Sequence, residues 1–181
     1  SIGLGRALGL NTLGAALAPL VFGTLLLPAA GAKWALAAVA AGYLLLFPVG
    51  RSSLRPALVP ALALAGLLLA PPLRFVAVGE GGELLAYEEG VMAAVAVVGD
   101  AGGDRHLKVN NHFTMGGTAS RLSDHRQTHL PMLLHGAPRS ALYLGLGTGI
   151  TFEAAKYYPD LEATGVELIP EAVDLLDYFE T

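Results

Sequence analysis

Apolar residues crowd the first seventy positions and then thin out. Three apolar segments stand out, at 7–27, 34–49 and 56–70. Each lacks the polar stripe of a surface helix, so each is predicted to be a helix that is apolar all round. Pro28–Lys33 and Gly50–Arg55 break the pattern as short turns with basic residues. From Glu83 the pattern changes to short strand-like runs, Leu84–Tyr87, Met92–Val98 and His106–Val109, with Gly99–Asp104 as a turn. Their spacing predicts an antiparallel meander. Asn110-Asn111 and Met115–Thr118 read as loops. A helix is expected over Ser123–His135, with Ser123 or Asp124 as its cap. Then come a strand at Ala141–Leu144, a glycine turn, a helix to Tyr157, a strand at Ala163–Glu167 and a helix over Pro170–Phe179. That β-α-β-α order implies parallel strands with right-handed crossovers.

A membrane-spanning helix needs about 20 apolar residues, with a range of roughly 17–25. The first segment meets that length, and the other two lie at its short edge. Small residues such as Gly14, Ala15, Ala16 and Ala18 suit close packing in lipid. Asn11 and Thr12, inside the first segment, suit interhelical glue or a polar path. A secretory signal would be a single shorter segment. A soluble bundle is the competing reading, and it would need polar faces that are missing. The lipid bilayer is therefore an expected partner, with three spans.

Composition sharpens this division. The 181 residues are 54% hydrophobic and only 14% charged, against roughly a quarter charged in a soluble domain. Before Arg74 the only charges are Arg6, Lys33, Arg51 and Arg55; every acid lies from Glu80 onward. The net charge of −4 thus averages a weakly basic apolar half and an acidic soluble half. No basic footprint for nucleic acid is present. The absence of cysteine excludes disulfides, thiolate metal sites and a cysteine nucleophile. The expected boundaries are transmembrane helices over 1–73, a small antiparallel β region over 74–122 and a truncated Rossmann-like domain over 123–181. A parallel sheet of two strands leaves apolar edges unpaired, so the sequence reads as an internal piece of a longer protein.

The chemistry concentrates at Gly145-Leu146-Gly147-Thr148-Gly149 and Glu167. Glycines let the backbone turn sharply and approach a ligand that a Cβ would hold off. An acid ending the next strand stands where a ribose diol is caught, and a carboxylate has the free oxygens for it. The spacing is shorter than the dinucleotide G-x-G-x-x-G and fits an S-adenosylmethionine-type loop better. A dinucleotide site and an ordinary tight turn stay open, and no P-loop is present. His125 and His129 are four apart on one helix. That spacing can hold a metal, but no further ligand accompanies it, so no metal is expected. Asp124 and His125 can instead face the site as substrate contacts.

These residues resemble a known family. Arg105–Phe179 is similar to the spermidine synthase-like aminopropyltransferases, through His106–Asn111, His129-Leu130-Pro131, Pro138-Arg139-Ser140, the glycine turn and Gly165-Val166-Glu167-Leu168. The apolar half, with Asn11-Thr12-Leu13-Gly14, resembles the membrane-fused branch of that family. The resemblance implies a small antiparallel sheet ahead of a Rossmann-like domain. It also implies transfer of an aminopropyl group from decarboxylated S-adenosylmethionine to a diamine, with methylthioadenosine leaving. A class I methyltransferase using S-adenosylmethionine, or a transporter-like membrane protein with a ligand-sensing domain, are the alternatives. A homo-oligomer stays open.

The family pattern also implies residue roles. Gly145, Gly147, Thr148, Gly149 and Glu167 would hold the cofactor. Asn110, Thr114, Asp124 and His125 would face the amine substrate. Thr148 replaces the family's loop acid, Asn110 its loop aspartate and Thr114 a glutamine; Ser123-Asp124-His125 replace a Tyr-His/Gln-Glu triplet. Such losses leave cofactor geometry better kept than diamine chemistry. The catalytic base would lie beyond Thr181, so residues 1–181 alone are expected to be inactive. The cofactor's origin favours a cytoplasmic soluble half in a multi-pass protein of the cell membrane. The basic loop at Arg51 and Arg55 votes the other way.

Overall fold

A computed structural model describes residues 3–46 and 55–180. The turn expected at Gly50–Arg55 and the end of the second apolar segment lie largely outside those residues. The chain divides into two compact units, Ser1–Arg74 and Phe75–Thr181.

The first unit is helical. Helix α1 (Leu4–Ala18) runs into a wider π-helical turn at Pro19–Leu26 and then α2 (Leu27–Leu45). Proline lacks an N–H and crowds the carbonyl four residues back, so a local change of pitch at Pro19 follows from its chemistry. Thr24 donates to the Leu20 carbonyl at 2.6 Å, which satisfies its hydroxyl within an apolar helix. The run Leu4–Leu45 spans 42 residues and is long and apolar enough to cross a membrane. It is not uniform: Gly31, at φ 76° and ψ 168°, leaves helical geometry and makes a corner. The expected loop at Pro28–Lys33 is thus a one-residue break, a conformation glycine adopts without steric cost. Helix α3 (Arg55–Leu69) packs along α2. Its apolar stretch Ala57–Leu69 falls short of a span, so the described residues hold one long candidate span rather than three. Ala32, Ala35, Ala37 and Ala40 are the buried residues of α2. Lys33 donates to the carbonyl of Ala70, just beyond α3, so α2 and α3 run antiparallel. No residue of α1 is buried; Asn11 and Thr12 are both exposed.

The second unit opens with the meander β1 (Glu83–Glu89), β2 (Ala94–Gly99), β3 (Arg105–Val109) and β4 (Phe113–Gly117), antiparallel in that order. Strand β4 corrects the loop expected at Met115–Thr118. Pairing of Phe113 with Val109 and of Gly117 with His106 recruits a glycine-rich segment that is weak in β propensity. Gly117 has little choice of neighbour: a Cβ there would sit 2.4 Å from the Arg105 carbonyl oxygen. Asn110 and Asn111, both at positive φ, make the β3–β4 turn.

Helix α4 covers Arg121–His135, two residues longer at its start than expected, with Ser120 at the cap position. Strands β5 (Ser140–Leu144) and β6 (Glu162–Val166) pair in parallel, Tyr143 opposite Gly165. Between them, the expected helix to Tyr157 is only α5 (Ile150–Glu153) followed by a 3₁₀ turn at Ala154–Tyr157. The helix expected over Pro170–Phe179 is likewise split, into α6 (Pro170–Val173) and a 3₁₀ turn at Leu176–Tyr178. Both breaks serve packing. Val95, Val97 and Leu107 of the meander share one buried cluster with Ile150, Ala172, Leu175 and Phe179. The meander and the α/β part therefore share one core, which holds the β5–α5 turn beside β4.

Candidate functional site

The site is built on the β5–α5 turn. Gly145, Gly147 and Gly149 adopt φ of 80°, 55° and 76°, values that side-chain-bearing residues reach only under strain. Gly149 N–H donates to the Leu146 carbonyl at 2.8 Å and closes the turn. Gly145 N–H donates to Val166 at 2.8 Å and carries the β5–β6 ladder one step past the strand ends. A Cβ on Gly145 would meet nothing within 4 Å, so the backbone there is open to an approaching group. On the other side the turn is packed. A Cβ on Gly147 would lie 3.3 Å from the Met115 carbonyl oxygen of β4.

Glu167 follows directly from the parallel register. Leu144 stands opposite Val166, so the residues just past each strand end face one another. The Glu167 Oε2 atom accepts from Leu146 N–H at 2.8 Å and from Gly147 N–H at 3.0 Å. Its Oε1 accepts from Leu168 N–H at 2.7 Å and Ile169 N–H at 3.0 Å. Partial burial raises the pKa of this carboxyl; the four N–H donors outweigh it and hold the group below the ordinary glutamate value of 4.5. Glu167 is therefore ionised at neutral pH and braces the turn.

Thr148 is buried at 6% exposure. Its methyl carbon lies against Gly116 of β4, where a Cβ would come within 3.4 Å. Its hydroxyl is 3.5 Å from Ile150 N–H, a long contact. Thr148 thus points into the protein and fixes the turn on β4.

The residues expected at a substrate site are each placed by their own turn or element. Asn110 accepts from Ala94 N–H at 2.9 Å and so serves its own turn. Thr114 is exposed, paired with Lys108 one residue before Met115. Asp124 accepts from the Ser120 hydroxyl at 2.7 Å at the start of α4. His125 turns toward α5, with Nε2 3.8 Å from the Glu153 carboxylate, and meets His129 edge-on, ring centroids 6.1 Å apart. Among the described residues no group of three His, Cys, Asp or Glu side chains is placed to hold a metal ion.

Sequence reasoning missed a charged cluster here. Glu153 bonds Arg121 of α4 and Lys156 of its own turn, each at 2.5 Å. The bond to Glu153 is the main cause that raises the Lys156 pKa. Lys156 three residues after Glu153 is a readable signal; Arg121 is not, since it lies ahead of the expected helix start.

Two cavities flank the turn. One of about 620 Å³ lies behind it, among Thr148, Phe152, Leu161, Leu176 and Phe179, and Glu167 does not line it. A smaller one of about 150 Å³ lies against Gly145 and Leu146, with Gln127 and Tyr143 in its wall. Glu167 lines neither cavity.

No protein-family profile and no curated protein matches this chain. Among solved structures, the chain is similar to a spermidine synthase from Thermotoga maritima and to a spermidine synthase in complex with the transition-state analogue AdoDATO. Each shares 16% identity over 53% of this chain and 34% of the other, with a TM-score of 0.48. The chain spans about a third of the length of those enzymes.

Proposed function

We propose that the glycine turn and Glu167 hold the adenosyl part of an S-adenosylmethionine-type nucleoside. The observation that carries this reading is the carboxylate beside an open glycine turn at the C-terminal ends of two parallel strands. Ligands of open α/β sheets sit at that end of the strands. Gly145, Gly147 and Gly149 let the backbone approach the nucleoside, Thr148 fixes the turn from behind, and Glu167 meets the ribose.

Within that reading, the motif resemblance favours aminopropyl transfer from decarboxylated S-adenosylmethionine to a diamine. The amine nitrogen attacks the carbon next to the sulfonium, the carbon–sulfur bond breaks, and its electron pair stays on sulfur as methylthioadenosine leaves. The nitrogen's proton must go to a base. Glu167 does not suit that task, because its N–H donors keep it a weak base. Orientation of the two reactants supplies the rest of the rate. Asn110, Thr114, Asp124 and His125 are the substrate-side candidates of this reading.

The apolar unit anchors the protein in a bilayer. Leu4, Leu8, Leu13 and Leu20 are all more than half exposed, a surface that lipid covers at no cost. Three crossings, with the soluble half on the cytoplasmic side where the nucleoside is made, complete the proposal.

Methyl transfer from S-adenosylmethionine itself is the second reading. The glycine turn and Glu167 would serve either sulfonium compound, and 145–149 holds no acid to repel the carboxylate of S-adenosylmethionine. Calorimetry of the whole protein with both sulfonium compounds separates the two. Tighter binding of the decarboxylated form supports aminopropyl transfer, tighter binding of the carboxylated form supports methyl transfer, and binding of neither sinks the nucleoside site.

A further inference from the structure

Glu167 faces two demands that exclude each other. To hold a ribose, it must accept hydrogen bonds from two hydroxyls. In the free chain it already accepts four backbone N–H groups, two on each oxygen. A carboxylate offers about four lone-pair positions in all, so none is left for a diol. The bonds from Leu168 and Ile169 are local, one and two residues along the chain. Those from Leu146 and Gly147 reach across the two strands and are the ones that fix the turn. Nothing would crowd a group arriving at Gly145, where the space beside the backbone is open.

We propose, resting on the nucleoside reading above, that Glu167 is a ligand-displaced latch. In the free chain its Oε2 bolts the glycine turn through Leu146 and Gly147. When the nucleoside enters, the ribose diol takes Oε2 and the two N–H groups are released to water. The acid that recognises the ligand is thus the acid that orders the turn. The free turn is kept in shape, and the diol is the part of the ligand that opens the latch.

Site-resolved amide hydrogen exchange on the full chain in detergent tests this, with 5′-methylthioadenosine and its 2′,3′-dideoxy counterpart as probes. With methylthioadenosine bound, exchange at Leu146 and Gly147 speeds up by about tenfold, the change that losing one ordinary hydrogen bond gives. The sign is distinctive, because bound ligands ordinarily slow exchange. The dideoxy compound, which has no diol, leaves both amides as protected as in the free chain. Methylthioadenosine binding with Leu146 and Gly147 still protected overturns the latch and leaves the nucleoside site standing. Acceleration by the dideoxy compound also overturns it, since the diol would then not be the trigger. Failure of methylthioadenosine to bind overturns the latch and the nucleoside reading together.

Discussion

Gly145 and Gly117 are both glycines for reasons that differ. At Gly145 the space is open but φ is 80°. At Gly117 the backbone is extended, with φ at −178°, but the Arg105 carbonyl leaves no room for a Cβ. Alanine at Gly145 is expected to cost about 1 kcal/mol, the price of a left-handed side-chain-bearing residue. Alanine at Gly117 is expected to cost about 1–3 kcal/mol, because strands β3 and β4 must separate to admit it. Thermal unfolding of the two variants checks the order, and a larger loss at Gly145 would contradict it. Glu167 gives a prediction in pH. Its folded pKa is below its ordinary value, so its stabilisation is complete above about pH 4.5 and is lost as pH falls through the folded value. Glu167→Gln keeps an acceptor for at most one side of the network, and a loss of about 1–3 kcal/mol is expected at neutral pH. The gap in melting temperature between wild type and Glu167→Gln should shrink below about pH 4. A gap independent of pH would show that the charge does not brace the turn. Asp100, whose pKa is lowered first by its bond with His106, titrates in both proteins and cancels from the comparison.

Elements were legible where their signals are local. The apolar run into alternating glycines marks β5 and its turn, and short strand-like runs separated by turn residues mark β1 to β3. Strand β4 was hidden because Gly116 and Gly117 say loop, and only pairing with β3 makes them a strand. The short α5 and α6 were hidden for a related reason. Their sequences permit longer helices, but Ile150, Leu175 and Phe179 are drawn into the core shared with β2 and β3. Glu167 was readable as an acid at a strand end. Its four bonds were not, because they follow from the β5–β6 register. The α4–α5 contact yields a test at this scale. Glu153 is 12% exposed and bonds Arg121, itself 22% exposed, and it also bonds Lys156. Glu153→Gln should cost about 2 kcal/mol, since it leaves a partly buried guanidinium without its anion. Denaturant unfolding measures it, and a change within the error of the wild-type value would show that water replaces the carboxylate without penalty.

At the scale of the whole molecule, the proposed bilayer anchor turns on how often the apolar unit would cross. Among the described residues only the run Leu4–Leu45 has the length, and Gly31 divides it. Past the corner, Ala32–Leu45 is about 21 Å of helix at 1.5 Å per residue, against about 30 Å of hydrocarbon. Length alone argues against further crossings. Charge argues for them. Lys33 bonds the carbonyl that follows α3, so it marks one end of the α2–α3 pair; Arg51 lies in sequence between the two helices and Arg55 opens α3. A pair that stopped midway would leave those arginines in hydrocarbon at about 3 kcal/mol each on insertion scales. Long side chains reach several ångströms toward the interface, which closes most of the gap for a pair that crosses. The arrangement proposed above has three crossings, with 51–55 and the second unit on opposite faces. The chain has no cysteine, so single Ser52→Cys and Asp160→Cys variants report their faces without background. In intact cells, a membrane-impermeant maleimide should label Ser52→Cys and spare Asp160→Cys until the membrane is opened. Labelling of both, or of neither, before opening would put the two positions on one face, and the single run Leu4–Leu45 would then be the sole crossing.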